Sequence, residues 1–443
     1  MADAGGVDPD QGLLVARLRN GHVTDVQCTF FDQRGMHGGQ RRLTVVIDVD
    51  LLDPALFRDG FPHELFTNLR AEKPVFYQRF PEEFPGPSDD GFWVLTRHAD
   101  IQAANRDTET FNAFDGPTLG AYEGMKGAML PSMDGRDHVR QRRLISAGFT
   151  PRMIGLLEDQ ARQWASTIVD RALEKGRCNF VAEVAYRLPM HMIADIIGIP
   201  MADRDWLFGL TNDILLNSDI SSGVELYEYA HKLGEEKRAN PQDDVWTILS
   251  TVEMETDDGE ATKLSELELD MFFLLLTVAG SETTRNAIAG GLVALLQHPE
   301  QLEVLRRDPA AMKPAVEEIL RWSSPVSYFA RRATRDVEVG GEHIAAGDRV
   351  TLWYPSANRD GDVFTDPFRF DISRTTNPQV AFGGGGPHFC LGANLARCEI
   401  TVMFEELFRR ATEIEILGEP RYTVFGILNP ILVAMTELPV RMS

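Results

Sequence analysis

The chain has 443 residues, of which 43% are hydrophobic and 25% charged, a composition that provides enough apolar material for a large globular core. Acidic residues outnumber basic ones by 67 to 44, and the net charge of −23 argues against general nucleic-acid binding. Four cysteines without a C-x-x-C pair argue against a disulfide scaffold and against a zinc finger.

The sequence also argues against export and membrane insertion. Its first residues, MADAGGVDPDQ, are acidic and lack the apolar run of a secretory signal. The most apolar stretch, residues 271–280, is too short to cross a bilayer. We therefore expect a cytoplasmic protein with reduced thiols and no stable membrane insertion.

Periodicity divides the chain near residue 45. Residues 1–45 have little sustained pattern and predict a disordered N-terminal extension, whereas residues 46–443 predict a single large domain. At the start of that domain, residues 62–78 predict a helix followed by a strand, and residues 91–104 predict a strand followed by a helix. Residues 111–134 are rich in glycine and predict a long loop, of the kind that often covers a binding site.

Helical patterns dominate the middle of the domain. Several segments between residues 138 and 322 carry apolar residues at three- and four-residue spacing. Short strand-like segments follow residue 325 and continue to the C-terminus. The predicted fold class is therefore mainly α with small β-sheets.

A run of four glycines, residues 383–386, precedes Cys390 in the segment AFGGGGPHFCLGANLARCE. Residues 391–410 are periodic, so Cys390 lies at the start of a helix, where free N–H groups and the helix dipole favour a thiolate. A lone thiolate without nearby partner ligands suits an axial position of a haem iron better than a tetrahedral zinc site. From this segment alone two alternatives stay open: a glycine turn that leads to a small core cysteine, and a dinucleotide-binding loop, although no strand with a downstream acid frames the glycines.

Several motifs, in the same order along the chain, resemble the cytochrome P450 family of haem-thiolate monooxygenases, and the resemblance covers residues 46–443. The cysteine-loop positions of that family are matched by Phe382, Gly385, His388, Cys390 and Gly392. The other matches are AGSETT at 279–284, the E-x-x-R pair Glu318 and Arg321, the H-x-x-x-R pair His138 and Arg142, ANRD at 357–360 and P-x-R-F at 367–370.

The cysteine loop departs from the usual family pattern by one inserted residue, because Phe382 lies eight residues before Cys390. The longer loop resembles that of a bacterial subset of the family that oxidises branched lipids and sterol side chains. The insertion leaves open which glycine fills which backbone role, but it does not change the expected ligand.

The resemblance implies that the helix over residues 271–290 takes part in oxygen activation. Small residues at Ala279 and Gly280 would leave room beside this helix, and Thr283 and Glu282 would pass protons to the reacting oxygen. An ordinary polar turn in a core helix is the structural alternative.

The resemblance also implies a haem b cofactor whose iron takes its axial thiolate from Cys390. Phe382 would belong to the haem-binding site. Four basic residues are expected to contact the two haem propionates, namely His138, Arg142, Arg331 and His388.

A structural role is implied for the E-x-x-R pair. Glu318 and Arg321 lie three residues apart, so they share a helix face and can form an ion pair. By the resemblance, a later arginine joins them, and its P-x-R-F context favours Arg369 over Arg374. The three residues would hold the cysteine loop in place without taking part in the chemistry.

The implied function is a monooxygenase that inserts one oxygen atom of O₂ into a C–H bond of an apolar substrate. A branched lipid, a fatty acid or a steroid is the expected substrate, and a separate ferredoxin with its ferredoxin reductase is the expected electron donor. Three alternatives stay open: the same chemistry on a terpene or a macrolide, a peroxide-driven haem enzyme, and a haem-based gas sensor.

The sequence also predicts the surroundings of the site. The loop 111–134 and the segments 206–227, 325–329 and 424–435 are rich in apolar residues and are expected to line a substrate pocket. Arginines on the sulfur side would form either a basic patch for an acidic redox partner or ordinary solvated positions. These are Arg140, Arg143 and Arg397.

Overall fold

The computed structural model describes residues 13–19, 22–28, 44–81, 84, 89–120, 126–149, 151–214, 219–255, 259–425 and 431–443. Helices predominate in this part of the chain and small sheets lie beside them, so the predicted fold class is confirmed. The helices are α1 (His63–Glu72), α2 (His98–Arg106), α3 (Gly135–Ser146), α4 (Pro151–Lys175), α5 (Arg187–Ile197), α6 (Met201–Asn212), α7 (Ile220–Ala239), α8 (Val245–Thr251), α9 (Glu266–Gln297), α10 (Pro299–Arg307), α11 (Met312–Ser323), α12 (Tyr354–Ala357) and α13 (Ala393–Arg410).

The strands are short, and most of them lie towards the two ends of the chain. Both pairs of elements predicted at 62–78 and 91–104 are present, as α1 followed by a strand over Val75–Arg79 and as a strand over Gly91–Leu95 followed by α2. The strands are β1 (Leu13–Arg19), β2 (His22–Cys28), β3 (Thr44–Asp48), β4 (Val75–Arg79), β5 (Gly91–Leu95), β6 (Phe111–Asn112), β7 (Arg177–Asn179), β8 (Met254–Glu255), β9 (Ala261–Thr262), β10 (Tyr328–Ala333), β11 (Val337–Val339), β12 (Glu342–Ile344), β13 (Arg349–Trp353), β14 (Ile414–Ile416), β15 (Arg421–Phe425), β16 (Leu432–Glu437) and β17 (Pro439–Met442).

The 32-residue helix α9 runs through the core. It begins with a capping box, in which the Ser265 hydroxyl accepts from the Glu268 N–H at 3.2 Å and the Glu268 carboxylate accepts from the Ser265 N–H at 2.8 Å. Further along, Gly291 allows close packing of α11 and α13, because a β-carbon there would lie 2.8 Å from Ile319 and 3.0 Å from Phe404. Across the ranges described above, no helix is long and apolar enough to span a membrane.

A five-stranded sheet with the order β4-β5-β13-β10-β6 packs beside the helices. Strand β13 pairs in parallel with β5 and antiparallel with β10. Strand β10 carries Arg331, and the guanidinium of Arg331 reaches Asn105 near the end of α2. The sheet therefore brings a residue from the first quarter of the domain next to one from its last third.

The structure describes part of the predicted N-terminal extension. Strand β1 pairs antiparallel with β2 and parallel with β3. Strands β1 and β2 lie where the sequence predicts little regular structure. The other residues of the extension before β3 lie outside the described ranges, and the division of the chain at residue 45 stays a prediction.

Candidate active site

A cavity of about 250 Å³ lies between α9 and the cysteine loop. Three cysteines have described side chains, and among them Cys390 alone lines this cavity. Most of the wall is apolar, and its apolar members include Phe272, Leu275, Leu276, Val326 and Phe329. Two of the predicted segments contribute to the wall, 325–329 and the loop 111–134, the loop through Pro117, Leu130 and Pro131. The described residues of 206–227 and 424–435 are not among the lining residues, and residues 121–125, 215–218 and 426–430 lie outside the described ranges.

The glycine run gives the cysteine loop its shape. From Gly383 to Gly386 the four φ angles are +94°, +67°, +106° and +82°, a conformation that costs free energy for other residues. Gly386 also packs against α2, where a β-carbon would lie 2.4 Å from the Asn105 carbonyl oxygen. The Cys390 N–H closes the loop by donating to the Phe382 carbonyl oxygen at 3.1 Å. The glycines therefore turn the chain so that Cys390 opens onto the cavity.

The electrostatics of the sulfur differ from the sequence expectation. The Cys390 side chain opens onto the cavity, but protein encloses it on its other sides, and this burial raises the pKa of the thiol. The Gly392 N–H and the charges of Arg142 and Arg397 act in the opposite direction and do not outweigh the burial. A metal ion at this sulfur would displace the thiol proton, because a coordinating thiol is deprotonated.

The opposite wall comes from α9, through Ala279, Gly280 and Thr283. The Thr283 hydroxyl donates to the Ala279 carbonyl oxygen at 2.9 Å, which leaves its oxygen lone pairs as acceptors. Gly280 has a packing role as well, because a β-carbon there would lie 2.9 Å from the side chain of Ile193 in α5. The small size of Gly280 therefore serves the contact with α5 as well as the room in the cavity.

Glu282 does not line the cavity. Its side chain is 0% exposed and forms an ion pair with Arg285, and the Arg285 guanidinium lies 5.7 Å from the centre of the Tyr186 ring. Successive residues of a helix point about 100° apart, so Glu282 and Thr283 leave α9 in different directions. Burial raises the pKa of Glu282 to about 7, although the positive charge of Arg285 partly opposes the rise.

Several buried polar atoms around the cavity have no hydrogen-bond partner within the described part of the chain. They are Nε2 of His138, Nε of Arg331, Nδ2 of Asn105 and Oε2 of Glu399, and all four side chains line the cavity. Arg142 lines it too, and its guanidinium donates to the Phe389 carbonyl oxygen at 2.5 Å. Because a buried polar group without a partner costs free energy, these atoms indicate a polar ligand inside the cavity.

The two predicted histidines lie side by side, with ring centres 4.4 Å apart. His388 is held by Asp134, whose Oδ1 lies 2.9 Å from His388 Nε2. Burial, together with the nearby His388 and Arg142, lowers the pKa of His138 to about 4. At neutral pH His138 is therefore a neutral hydrogen-bonding group in the protein alone, not the cation that the sequence predicts.

The E-x-x-R pair is fully buried, and Arg321 Nε and Nη2 each donate to the Glu318 carboxylate at 2.7 Å. Arg374 Nε donates to the same carboxylate at 3.2 Å. The prediction of Arg369 as the third member is wrong, since Arg369 is exposed and contributes only its carbonyl oxygen, which accepts from Arg321 at 3.2 Å. The turn after it, where the Asp371 N–H donates to Glu318 at 2.8 Å, carries Arg374 to the pair.

Comparison with known proteins identifies the family. The cytochrome P450 profile matches residues 222–412. A steroid C26-monooxygenase of Mycolicibacterium smegmatis is 38% identical over 400 residues, which cover 87% of this chain and 92% of that protein. This chain belongs to the cytochrome P450 family.

Other members of the cytochrome P450 family agree with this assignment. A methyl-branched lipid omega-hydroxylase of Mycobacterium bovis is 39% identical over 419 residues, 90% of this chain and 95% of that protein. A Mycobacterium marinum cytochrome P450, solved in complex with pseudoionone, has a TM-score of 0.79 and 36% identity, and covers 86% of this chain and 94% of its own. The predicted family and the predicted class, an oxidoreductase that incorporates molecular oxygen, are confirmed.

The cofactor of a cytochrome P450 is haem, whose iron is ligated by a cysteine, as the sequence predicts. The residues of this cytochrome P450 fit that cofactor. Cys390 offers a sulfur in the cavity, and the unpartnered N–H groups of Arg331 and Asn105 offer donors to a carboxylate such as a haem propionate.

Among the residues of this cytochrome P450 cavity that sequence reasoning missed are Asn105 and Glu399. No local pattern marks Asn105, which reaches the site only because the sheet brings β10 beside α2. Glu399 does carry a signal, because it follows Leu395 by four residues and precedes Val402 by three on the apolar face of α13. Burial raises the pKa of Glu399 to about 8, and no cation contributes to that shift.

Proposed function

We propose that this cytochrome P450 inserts an oxygen atom into a C–H bond of a branched lipid or a steroid, with Cys390 as the axial ligand of its haem iron. The observation that carries the proposal is the position of Cys390 on the same cavity as Ala279, Gly280 and Thr283. When bound, haem supplies the activation of O₂ and the transfer of oxygen to carbon. The protein supplies the ligand, the shape of the pocket and the protons.

The apolar wall supports the choice of substrate. Side chains such as Phe272, Leu275 and Phe329 remove an apolar substrate from water and offer it few polar contacts. Two relatives are named for a steroid and for a methyl-branched lipid, which agrees with a substrate of this kind. A terpene is the second candidate, because the relative from Mycobacterium marinum was solved with pseudoionone.

Thr283 is the residue that we assign to proton transfer at the cavity. Its hydroxyl donates to the helix carbonyl and can accept a hydrogen bond on its oxygen, so it can hold a water molecule or a reacting oxygen beside α9. Glu282 would act behind it as a proton source, since a carboxyl group with a pKa of about 7 holds and releases protons at neutral pH. To reach the cavity, Glu282 must first leave its ion pair with Arg285.

A separate ferredoxin with its ferredoxin reductase is the electron donor that we propose, in the cytoplasm. Two of the three arginines expected to attract such an acidic partner are engaged in ion pairs, Arg140 with Glu268 and Arg397 with Glu317 at 2.5 Å. Arg143 is exposed on α3, one residue after the Arg142 that contacts the cysteine loop. The positive charge that is free to attract an acidic ferredoxin on this side is therefore small and lies around Arg143.

A ferric absorption titration tests the substrate class. Purified holoprotein is titrated with a sterol ketone, a methyl-branched fatty acid, pseudoionone and a macrolide. We expect a low-spin to high-spin shift with the sterol ketone or the branched acid, because a substrate that fills the apolar pocket would exclude water from it. A shift with pseudoionone or the macrolide alone would contradict the lipid proposal and leave the enzyme class intact.

Replacement of Thr283 by alanine tests the proton-transfer assignment. We expect Thr283→Ala to consume reductant at a near-normal rate but to release hydrogen peroxide in place of product, with a loss of coupling of about 100-fold, as for other lost acid–base groups. Thr277→Ala is the matched control, because the Thr277 hydroxyl also donates to its own helix, at 3.0 Å to Phe273, and lies outside the cavity. Tight coupling in Thr283→Ala would contradict the assignment.

A further inference from the structure

Asn105 near the end of α2 has a side chain whose two polar atoms are in different situations. Its Oδ1 accepts from the Tyr354 hydroxyl at 3.3 Å and from Arg331 Nη2 at 3.4 Å. A guanidinium only donates, so the atom that faces Arg331 must be the oxygen, and this fixes the orientation of the amide. The amide nitrogen Nδ2 then has no partner among the residues that the structure describes, and the side chain is 1% exposed and lines the cavity.

The neighbouring Arg331 also has a buried N–H donor without a hydrogen-bond partner within the described ranges. Its Nη1 donates to the Ala330 carbonyl oxygen at 2.7 Å and its Nη2 to Asn105, while its Nε is buried without a partner within the described ranges. Two unpartnered N–H donors, one neutral and one charged, therefore sit on side chains that contact each other. This is the arrangement that a carboxylate accepts from, one oxygen to each donor or both to one oxygen.

The position of Asn105 links this donor pair to the cysteine loop. The Asn105 backbone packs directly against Gly386, where no β-carbon fits. The end of α2 that carries Asn105 is therefore in direct contact with the loop that carries Cys390. A carboxylate held by Asn105 and Arg331 would lie in the same cavity as the sulfur of Cys390.

We propose that Asn105 and Arg331 together bind one propionate carboxylate of the haem, with Asn105 Nδ2 as a donor that the sequence motifs do not assign. His138 and Arg142 then serve the other propionate. This inference rests on the proposed function, because it requires haem in the cavity beside Cys390. Tyr354 is a positioning residue, since its hydroxyl donates to Asn105 Oδ1 and so orients the amide.

Replacement of Asn105 by aspartate separates this role from a merely structural one. Aspartate has nearly the same shape and still accepts from Tyr354 and Arg331, but it loses the Nδ2 donor and places a negative charge against the propionate. We expect holoprotein with Asn105→Asp to release haem to excess apomyoglobin at pH 7 about tenfold faster than the unchanged protein, because a charged hydrogen bond is lost. A structural role alone would leave the release rate unchanged.

Asn286 provides the matched control. It is also a buried asparagine whose Oδ1 accepts a hydrogen bond, from the Met435 N–H at 3.1 Å, and whose Nδ2 has no partner within the described ranges, but it lies outside the cavity. Asn286→Asp should leave the haem release rate within about twofold of the unchanged protein, since it loses no contact to the cofactor.

The outcomes distinguish this inference from the proposed function. Equal release rates for Asn105→Asp and the unchanged protein would overturn the role of Asn105, whereas an unchanged protein that binds no haem would overturn the proposed function itself. If Asn105→Asp does not fold, Asn105→Ala decides the question. Release from Asn105→Ala at the rate of the unchanged protein would contradict the proposal, and several-fold faster release with an intact reduced-CO spectrum would support it.

Discussion

Two buried glutamate–arginine pairs share a three-residue spacing on a helix but differ in the hydrogen-bond partners of their glutamates. In both pairs the glutamate is 0% exposed. Glu318 accepts hydrogen bonds from Arg321, Arg374 and Asn377 and from the Asp371 N–H. For Glu282, the partner that the structure records is Arg285.

The difference shows that hydrogen-bond donors from other segments of the chain decide whether a buried carboxylate keeps its charge. The carboxylate of Glu318 has replaced its hydration by donors from the helix and from residues 371–377, as a lasting structural charge requires. Within the described ranges the carboxylate of Glu282 does not have such a set of donors, and burial raises its pKa to about 7. The first pair holds a loop in place, and the second keeps a group that can change its protonation state.

The largest expected effect in this comparison is on stability, with Arg321→Met. This change leaves Glu318 buried with too few donors and removes the bonds from Arg321 to the carbonyl oxygens of Asn358 and Pro367. We expect a loss of about 3–5 kcal/mol in the free energy of unfolding. Arg285→Met should cost clearly less, because Glu282 can take up a proton. Thermal unfolding of both holoproteins measures the contrast, and equal losses would remove the distinction between the pairs.

The next effect is on activity, with Glu282→Gln. Glutamine keeps the size of the side chain but cannot exchange a proton, so we expect a folded, haem-loaded protein whose product formation falls by about 100-fold. Glu268→Gln is the control, because Glu268 also pairs with an arginine, Arg140, and lies on the same helix. Turnover of Glu282→Gln equal to that of the control would show that protons reach Thr283 by another route.

The smallest effect concerns pH, with Glu399→Gln. The pKa of Glu399 is raised from 4.5 to about 8, so the folded protein keeps a proton that the unfolded chain releases, and this group makes folding less favourable as the pH rises from about 4.5 to 8. Glutamine removes this contribution, so the variant should gain stability relative to the unchanged protein as the pH increases. Thermal midpoints at pH 5 and pH 8 test this, and a constant difference between the two proteins would contradict it.

The sequence predicts those parts of the site that are built from one continuous segment. The glycine run, Cys390 and the small residues of α9 lie where their local patterns indicate, and the Glu318–Arg321 pair follows from helix spacing alone. Predictions that depend on contacts between distant segments are less accurate. The choice between Arg369 and Arg374 depends on the turn that follows Arg369.

Asn105 is a site residue that the sequence does not predict, because its contacts come from a distant segment. An asparagine near the end of a helix is an ordinary residue in sequence. The role that we propose for Asn105 depends on its contact with Arg331, which is 226 residues away. Glu399 lies between these cases, because an acid on the apolar face of α13 is visible in the pattern of that helix. Its burial against the cavity is a property of the packed protein.

The central claim, that Cys390 is the thiolate ligand of the haem iron, is tested most directly by the absorption spectrum of the reduced, CO-bound protein. We compare the unchanged protein with Cys390→Ala and with Cys398→Ala, whose cysteine is partly buried on α13 and does not line the cavity. The band typical of thiolate ligation should be present in the unchanged protein and in Cys398→Ala, and absent in Cys390→Ala. If that band persisted in Cys390→Ala, the sulfur on the iron would not be that of Cys390.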